Sequence, residues 1–255
     1  MFAEERKEQI ISFMHRRKRA TIHELIDTFQ VSGATIRADL RELEGAGFIQ
    51  RTHGGAIYRE DMLSDQDGID SRSSFEMEKA GIARAAARLI HDGETIILDA
   101  GTTNVCLAKL IKEKKNLTVV TNDILIAAEL YQCPNITIIF SGGVMRPMYG
   151  CTAGTGTIAF IQGLSVDKAF ISPNALSISR GAFTPNPELA DTKKAFLSVA
   201  DKCYLLCTSN KIGKKALCRF GMIEDFDCII TDAGIREHDK EALEQTGVLV
   251  EICDK

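Results

Sequence analysis

Apolar residues in the first part of the chain recur at the spacing of helix faces. Three such groups have members three, four or seven positions apart: Ile10, Phe13 and Met14, then Ile22, Leu25, Ile26 and Phe29, and then Ile36, Leu40 and Leu43. Thr21, with Glu24 three positions later, matches a capping box, and Ser32 can cap the third helix. A connection over residues 30–32 is typical of a helix-turn-helix. The pattern predicts three helices that close one small core.

Two short β-like runs follow the third helix, between residues 48 and 58, and they flank a glycine-rich tip. This pattern predicts a hairpin, or wing, and therefore a winged helix-turn-helix over residues 1–58. A DNA major groove admits a helix of this size, and Arg37 and Arg41 share a side that the apolar stripe leaves open. The candidate DNA-binding residues are Ser32, Thr35, Arg37, Arg41, Arg51 and His53. Taken alone, the third helix fits an amphipathic surface helix equally well.

Residues 59–74 are polar and acidic and show no periodicity, so we predict a linker there. A helix starts near Phe75, and its buried side is predicted from Ile82, Ala86, Leu89 and Ile90. Residues 91–94 end this helix. The second predicted domain covers residues 75–255.

Apolar strand-like runs then alternate with helical stretches through the second domain. The runs cover residues 95–99, 117–121, 136–140, 168–172, 204–208, 228–232 and 248–252. Strands that are almost continuously apolar and separated by helices predict an α/β domain with a largely parallel sheet buried on both faces. Ligands of such sheets bind beyond the carboxyl ends of the strands.

Polar residues follow several of these strands. Gly101, Thr102 and Thr103 open a helix, and the free N–H groups of a helix N-terminus suit an anion such as phosphate. The same three residues also fit a plain turn and cap. The other polar residues at strand ends are Asp99, Asn122, Gly142 and Gly143 with Arg146, and Lys211, which supplies a cation. Together they predict a site for a phosphorylated small molecule.

Composition limits the alternatives. The chain has 255 residues, a formal net charge of -4 and a pI of about 5.8, so DNA binding must depend on a local basic patch. No apolar run is long enough for a transmembrane helix, and the charged start predicts no secretory signal. The eight cysteines form no C-x-x-C pair and have no histidines at ligand spacing. We therefore expect reduced thiols in a cytoplasm, no metal site, no cofactor and no membrane partner.

The motifs together resemble those of the DeoR family of bacterial transcriptional regulators. In the first domain the resemblance rests on residues 31–43 and on Arg51-Thr52-His53-Gly54-Gly55-Ala56, although Ala38 stands where the family usually has a second arginine. In the second it rests on residues 98–103, 120–122, 142–143, 186–188 with Lys193, and 211–213. The chain departs from the family's usual sequence at residues 172–175 and 208–211.

The resemblance implies a sensor domain similar to the ribose-5-phosphate isomerase and coenzyme A transferase folds. It also implies a sugar-phosphate effector, with Gly101, Thr102, Thr103 and Lys211 nearest the phosphate and Asp99, Asn122, Glu188 and Lys193 facing the sugar. We therefore expect a repressor of a carbohydrate-metabolism operon that binds double-stranded operator DNA. Because helix-turn-helix proteins usually bind two half-sites, we expect a homodimer or a homotetramer.

A second hypothesis is a sugar-phosphate isomerase that carries an added DNA-binding module. Asp99, Glu188 and Lys193 supply acid–base groups, but their spacing does not define a catalytic pair. A scaffold with neither ligand nor DNA would leave the outward arginines and the polar strand ends unexplained. We predict a regulator and not an enzyme.

Overall fold

The computed structural model describes residues 3–45, 48–52, 54–58, 75–147 and 149–253. The chain divides into two compact units, residues 1–68 and residues 69–255. The predicted linker, residues 59–74, lies outside the described residues, and so does His53. The bounds predicted for the linker and for the two domains therefore stay predictions.

The first unit is a winged helix-turn-helix, as predicted. Its elements are α1 (Ala3–Arg17), β1 (Arg19–Thr21), α2 (Ile22–Phe29), α3 (Gly33–Gly45), β2 (Ile49–Thr52) and β3 (Gly55–Tyr58). The strands form an antiparallel sheet in the order β1-β3-β2. The run of basic residues at 15–19 does not form a separate turn, because α1 continues to Arg17 and β1 starts at Arg19.

Both predicted caps of the helix-turn-helix are present. The Thr21 backbone N–H donates to Oε2 of Glu24 at 2.7 Å, and the Glu24 N–H donates to Oγ1 of Thr21 at 3.2 Å. The Thr35 N–H donates to Oγ of Ser32 at 3.1 Å. Gln30 ends α2 with a φ of 53°, a left-handed conformation that redirects the chain into α3. The caps therefore fix where α2 and α3 begin.

The core of the first unit lies between its three helices and the sheet. All three predicted apolar groups contribute, and the fully or nearly fully buried members include Ile10, Met14, Leu25, Phe29, Ile36, Leu40, Leu43 and Phe48. A buried ion pair joins α1 to α3, with Nε of Arg6 2.6 Å from Oδ2 of Asp39. The hydrogen bond to Asp39 raises the pKa of Arg6. This contact ties α1 to the inner face of α3, so the opposite face stays exposed.

The second unit is an α/β domain built on a seven-stranded parallel sheet. The elements up to β9 are α4 (Glu76–Arg88), β4 (Thr95–Leu98), α5 (Thr102–Leu110), β5 (Leu117–Thr121), α6 (Ile124–Leu130), β6 (Ile136–Phe140), β7 (Val144–Arg146), β8 (Cys151–Ala153), α7 (Thr155–Gln162) and β9 (Val166–Ile171). The remainder are β10 (Ala175–Ser177), β11 (Gly181–Thr184), α8 (Pro187–Val199), β12 (Ala200–Leu206), β13 (Cys218–Gly221), β14 (Cys228–Asp232), α9 (Glu237–Glu244) and β15 (Leu249–Cys253). The strand order in the parallel sheet is β15-β14-β12-β9-β4-β5-β6.

Apolar side chains pack on both faces of this sheet. Ile96 and Leu98 of β4 belong to one buried cluster, whereas Ile97 belongs to another that includes Phe196 of α8. This division follows from the alternation of side chains along a strand. The continuous apolar runs in the sequence therefore reflect burial on two sides.

Two small antiparallel sheets complete the second unit, and the sequence analysis did not predict them. One is the hairpin of β7 and β8, and the other has the order β10-β11-β13. The segment 149–151 leads into β8, which begins at Cys151. All eight cysteines are free thiols. Across the described residues, no helix is both long enough and apolar enough to cross a membrane.

Candidate functional site

The outer face of α3 carries exposed basic side chains. Arg37 and Arg41 are exposed, whereas Ile36 and Leu40 of the same helix are buried. The predicted division of α3 into an apolar and a basic side is therefore present. A Cβ atom added at Gly33 would lie 3.3 Å from Nη1 of Arg37, so the arginine side chain folds back over the start of α3.

The hydroxyl groups of Ser32 and Thr35 form a hydrogen bond with each other at the start of α3. Their hydroxyl oxygens lie 2.8 Å apart, in addition to the capping bond from the Thr35 N–H. Ser32 is exposed and Thr35 is partly exposed. Both side chains therefore lie at the end of the helix that enters the groove in helix-turn-helix complexes, although part of their hydrogen-bonding capacity is already used.

A groove runs between α3 and the wing. Its volume is about 400 Å³, and its lining residues are Ile22, Arg37, Leu40, Glu44, Arg51, Thr52 and Gly55. The structure therefore brings Arg37 and Arg51 to one groove, whereas Arg41 is not among the residues that line it. A second groove, of about 600 Å³, includes Arg17 and Arg19 in its lining. The sequence analysis did not select these two basic residues.

The carboxyl end of β4 carries a buried ion pair. Nζ of Lys193, on α8, contacts Oδ2 of Asp99 and donates to the Ser172 carbonyl at 2.9 Å. The Ser172 N–H donates to the same Asp99 oxygen at 3.0 Å. The ammonium also lies 5.5 Å from the ring centroid of Phe220. Two predicted site residues, 94 positions apart along the chain, thus meet at the carboxyl edge of the sheet.

Gly101 connects β4 to α5 in a conformation that favours glycine. Its φ is 153°, and an added Cβ would lie 3.3 Å from Cβ of Ser172. Its N–H donates to Oδ2 of Asp123 at 3.1 Å. Burial raises the pKa of that aspartic acid. Thr102 and Thr103 then begin α5, and Thr103 is buried.

A buried asparagine, which the sequence analysis missed, stabilises this turn through hydrogen bonds. Nδ2 of Asn104 donates to the carbonyls of Asp99 at 2.8 Å and Phe170 at 3.0 Å. It therefore joins the ends of the adjacent strands β4 and β9 just behind the start of α5. Only its position after the Gly-Thr-Thr turn could have indicated this role.

Asn122 and Ser141, after β5 and β6, present buried polar atoms to the same edge. Nδ2 of Asn122 donates to the Thr152 carbonyl at 2.9 Å. Within the part of the chain that the structure describes, Oδ1 of Asn122 and Oγ of Ser141 have no hydrogen-bond partner. Because buried polar atoms are normally paired, these two atoms retain unused hydrogen-bonding capacity. Ser141 was not among the predicted site residues.

Gly142 and Gly143 follow directly, and the backbone requires both. Their φ values are 61° and 110°, and a Cβ at Gly143 would lie 2.0 Å from Oγ1 of Thr157. That hydroxyl donates to the Gly142 carbonyl at 2.8 Å. The packing of α7 against this turn is therefore sufficient reason for Gly143, whereas the left-handed backbone is the reason for Gly142, where an added Cβ meets nothing within 4 Å.

Arg146 and Glu188 form a partly exposed ion pair between β7 and α8. Nε of Arg146 donates to Oε2 of Glu188 at 2.9 Å. Glu188 begins the same helix that carries Lys193, with Asn186 as its N-cap. These two predicted residues are thus brought together with each other, and the shared helix links them to the buried pair.

Lys211 lies in the turn after β12 and donates to the Pro173 carbonyl at 2.7 Å. Its pKa is lowered from 10.5 to about 8, mainly by burial and in smaller part by the charges of Lys79 and Lys193. Lys79 is itself buried on α4, and the sequence analysis did not select it. The structure thus places two further ammonium groups close enough to Lys211 to disfavour its charge.

The two units define a class of protein. A winged helix-turn-helix with an exposed basic helix is a DNA-binding module, and it is joined to an α/β unit with a polar strand edge. Residues 6–61 match the DeoR-like helix-turn-helix domain, and residues 74–233 match the DeoR C terminal sensor domain. The chain therefore belongs to the DeoR family of transcriptional regulators.

Curated relatives match the chain over nearly its whole length. The chain is 35% identical to the HTH-type transcriptional regulator YgbI of Escherichia coli, over 95% of each chain. It is 32% identical to the transcriptional repressor AccR of Agrobacterium fabrum, over 91% of each. These relatives are regulators by name, which confirms the prediction of a regulator over the isomerase hypothesis. Among solved structures, the chain is similar to a D-ribose-5-phosphate isomerase in complex with phospho-erythronic acid, with a TM-score of 0.41, 15% identity and 54% of each chain covered.

Proposed function

We propose that this regulator is a repressor of a carbohydrate-metabolism operon whose affinity for operator DNA responds to a phosphorylated sugar. One observation carries the effector half of the proposal: the partly buried ammonium of Lys211 shares the carboxyl edge of the sheet with the N-terminus of α5. The relative AccR is named a repressor, which favours repression here as well.

The DNA half depends on the exposed side of α3 and on the wing. Arg37 and Arg51 line one groove, and Arg41 extends the basic side of the helix. Ser32 and Thr35 lie at the leading end of α3. Since the whole chain carries a net charge of -4, the affinity for DNA must come from this local set of cations together with His53.

The phosphate of the effector is assigned to the start of α5. The first N–H groups of a helix have no partner within the helix, and the helix dipole favours an anion there. Thr102 and Thr103 supply hydroxyls at the same place, and Gly101 allows the turn. Lys211 gains most from a nearby anion, because its environment disfavours its charge.

The sugar is assigned to the neighbouring strand ends. Oδ1 of Asn122 can accept a hydrogen bond from a sugar hydroxyl, and Oγ of Ser141 can donate or accept. The Arg146–Glu188 pair is partly exposed, so both charged groups can also exchange partners with hydroxyls. Asp99 and Lys193 hold each other and fix this edge, and Gly142 and Gly143 shape the turn beside it.

A thermal-shift screen of the full chain against phosphorylated sugars tests this proposal. A ligand at one hundred times its dissociation constant stabilises a protein by about 2.7 kcal/mol, which is a shift of roughly 5–10 °C for a domain of this size. We expect a stabilising phosphorylated sugar whose effect disappears in Lys211→Met. Lys202→Met is the matched control, because Lys202 is exposed near the opposite end of β12. No stabilisation by any phosphorylated sugar, or an equal shift in Lys211→Met, would contradict the assignment.

A further inference from the structure

Glu44, in the last turn of α3, holds the wing arginine by two hydrogen bonds. Its Oε2 atom accepts from Nε of Arg51 at 2.7 Å, and its Oε1 atom accepts from the backbone N–H of Arg51 at 2.8 Å. The two side chains are 37% and 40% exposed, so the pair lies at the surface of the unit. This contact ties the end of α3 to the first strand of the wing.

The pair leaves one edge of the guanidinium open to a ligand. An arginine side chain carries five N–H donors in a planar fork, and Glu44 engages the donor on Nε. Among the residues that the structure describes, none accepts a hydrogen bond from the Nη groups of Arg51. The Nη edge is the part of an arginine that binds a phosphate, or O6 and N7 of guanine, through two hydrogen bonds.

Simple electrostatics and a positioning role make opposite predictions for Glu44. A carboxylate in the groove that Arg37 and Arg51 line repels DNA phosphates, so its removal should tighten DNA binding. A positioning carboxylate has the reverse effect on a specific duplex. It orders a long side chain in advance, and without it that side chain must lose its rotamer freedom on binding.

We infer that Glu44 is a positioning residue for DNA recognition, which fixes the Arg51 guanidinium so that its Nη edge is presented to the duplex. The inference rests on the proposed function, since it requires Arg51 to contact DNA. Arg51 makes the contact, and Glu44 acts through Arg51. Glu44 therefore contributes to the preference for one DNA sequence over another and not to general attraction.

The test uses the full chain and a duplex that this protein enriches from a random DNA library. Affinity for that duplex, and for an unrelated duplex of equal length, is measured by fluorescence anisotropy for Glu44→Ala, Arg51→Ala and the double variant. We expect Glu44→Ala to weaken binding of the enriched duplex about tenfold, with binding of the unrelated duplex unchanged or tighter. In the double variant, Glu44→Ala should add nothing to the effect of Arg51→Ala.

Glu42→Ala is the matched control. It removes a carboxylate from the same helix, but the partner of Glu42 is Nζ of Lys7, at 2.8 Å. We expect this variant to bind the enriched duplex at least as tightly as the unmodified chain, because it removes a negative charge and the Lys7 contact but leaves the Glu44–Arg51 contact in place. A tenfold loss here would show that any carboxylate on α3 matters, and the inference would then be wrong.

The remaining outcomes separate the inference from the proposed function. If Arg51→Ala weakens binding of the enriched duplex and Glu44→Ala does not, the inference is overturned and the DNA contact of Arg51 stands. If Glu44→Ala is equally harmful with and without Arg51, Glu44 supports the fold and is not a positioning residue. If Arg51→Ala changes nothing, the contact assigned to Arg51 is wrong and the inference fails with it.

Discussion

The ammonium group of Lys211 lies in an environment that disfavours its charged form. Burial lowers its pKa to about 8, and the charges of Lys79 and Lys193 act in the same direction. One hydrogen bond, to the Pro173 carbonyl, leaves the ammonium further donors. A group held in this way responds strongly to an arriving anion, since the anion restores the stability of its charged form.

Effector affinity should therefore depend on pH above neutrality. Free Lys211 loses its proton as the pH rises through about 8, whereas a bound phosphate raises its pKa and keeps it charged. Between the free and the bound pKa, binding takes up a proton, so affinity should fall by up to about tenfold per pH unit. A phosphate ester is already a dianion in this range, because its second pKa is near 6. Calorimetric titration of the sugar found in the screen, at pH 7, 8 and 9, measures the effect, and constant affinity would contradict it.

The pair of Asp99 and Lys193 should behave as a buried ion pair. Both side chains are almost inaccessible, at 2% and 6% exposure, so loss of one partner leaves an uncompensated charge. We expect Lys193→Met to destabilise the second unit by about 3–5 kcal/mol, and Asp99→Asn in the same chain to recover part of the loss. Urea unfolding followed by circular dichroism measures both changes. A Lys193→Met chain as stable as the original would show that the pair contributes nothing to the fold.

At the scale of elements, the wing depends on one close approach between strands. Gly55 faces β1, and a Cβ atom there would lie 2.1 Å from the Ala20 carbonyl oxygen. Since the oxygen is a backbone atom and the position of a Cβ is fixed by its own backbone, neither can move without separating β1 from β3. The small sheet, and with it the position of Arg51, therefore requires glycine at this position.

Gly55→Ala should destabilise the first unit by at least about 1–3 kcal/mol and weaken binding of the enriched duplex. Gly54→Ala is the control at the adjacent position, where an added Cβ meets nothing within 4 Å. Hydrogen exchange of the full chain, followed by mass spectrometry, compares the protection of β1 and β3 in the two variants. Equal protection in both would contradict the importance of this close approach.

The long elements could be predicted from sequence because burial leaves a clear pattern. The seven strands of the parallel sheet each carry an apolar run, since side chains on both faces are covered. The predicted runs at 117–121, 136–140 and 228–232 coincide with β5, β6 and β14. The helices of the first unit also leave a clear pattern of apolar positions in the sequence, because each has one buried side.

The missed elements are short and are defined by tertiary contacts. β7, β8 and β10 each have three residues, too few to show a periodicity. Site partners were missed for a related reason: the Glu44–Arg51 and Arg146–Glu188 pairs join different elements. Their residues could be listed from the sequence as charged, but no spacing indicates which of them meet.

At the scale of the whole molecule, regulation requires the effector and the DNA to shift the same equilibrium between two conformational states of the chain. Candidate DNA contacts belong to the first unit and candidate effector contacts to the second. An effector changes DNA affinity only through its different affinities for the DNA-competent and DNA-incompetent states. Linkage makes this effect reciprocal, and coupling energies in proteins change affinity by about 5- to 150-fold.

Lys211→Met should abolish the response of DNA affinity to the effector and leave DNA binding itself intact. In the absence of effector, we expect this variant to bind the enriched duplex as tightly as the original chain, because every candidate DNA contact lies in the other unit. Effector should change the DNA affinity of the original chain and of Lys202→Met, and leave that of Lys211→Met constant. Anisotropy titrations with and without effector, and effector titrations with and without DNA, measure both directions of the linkage. An effector that leaves the DNA affinity of the original chain constant would contradict the coupling, and loss of DNA binding in Lys211→Met would contradict the division of functions between the units.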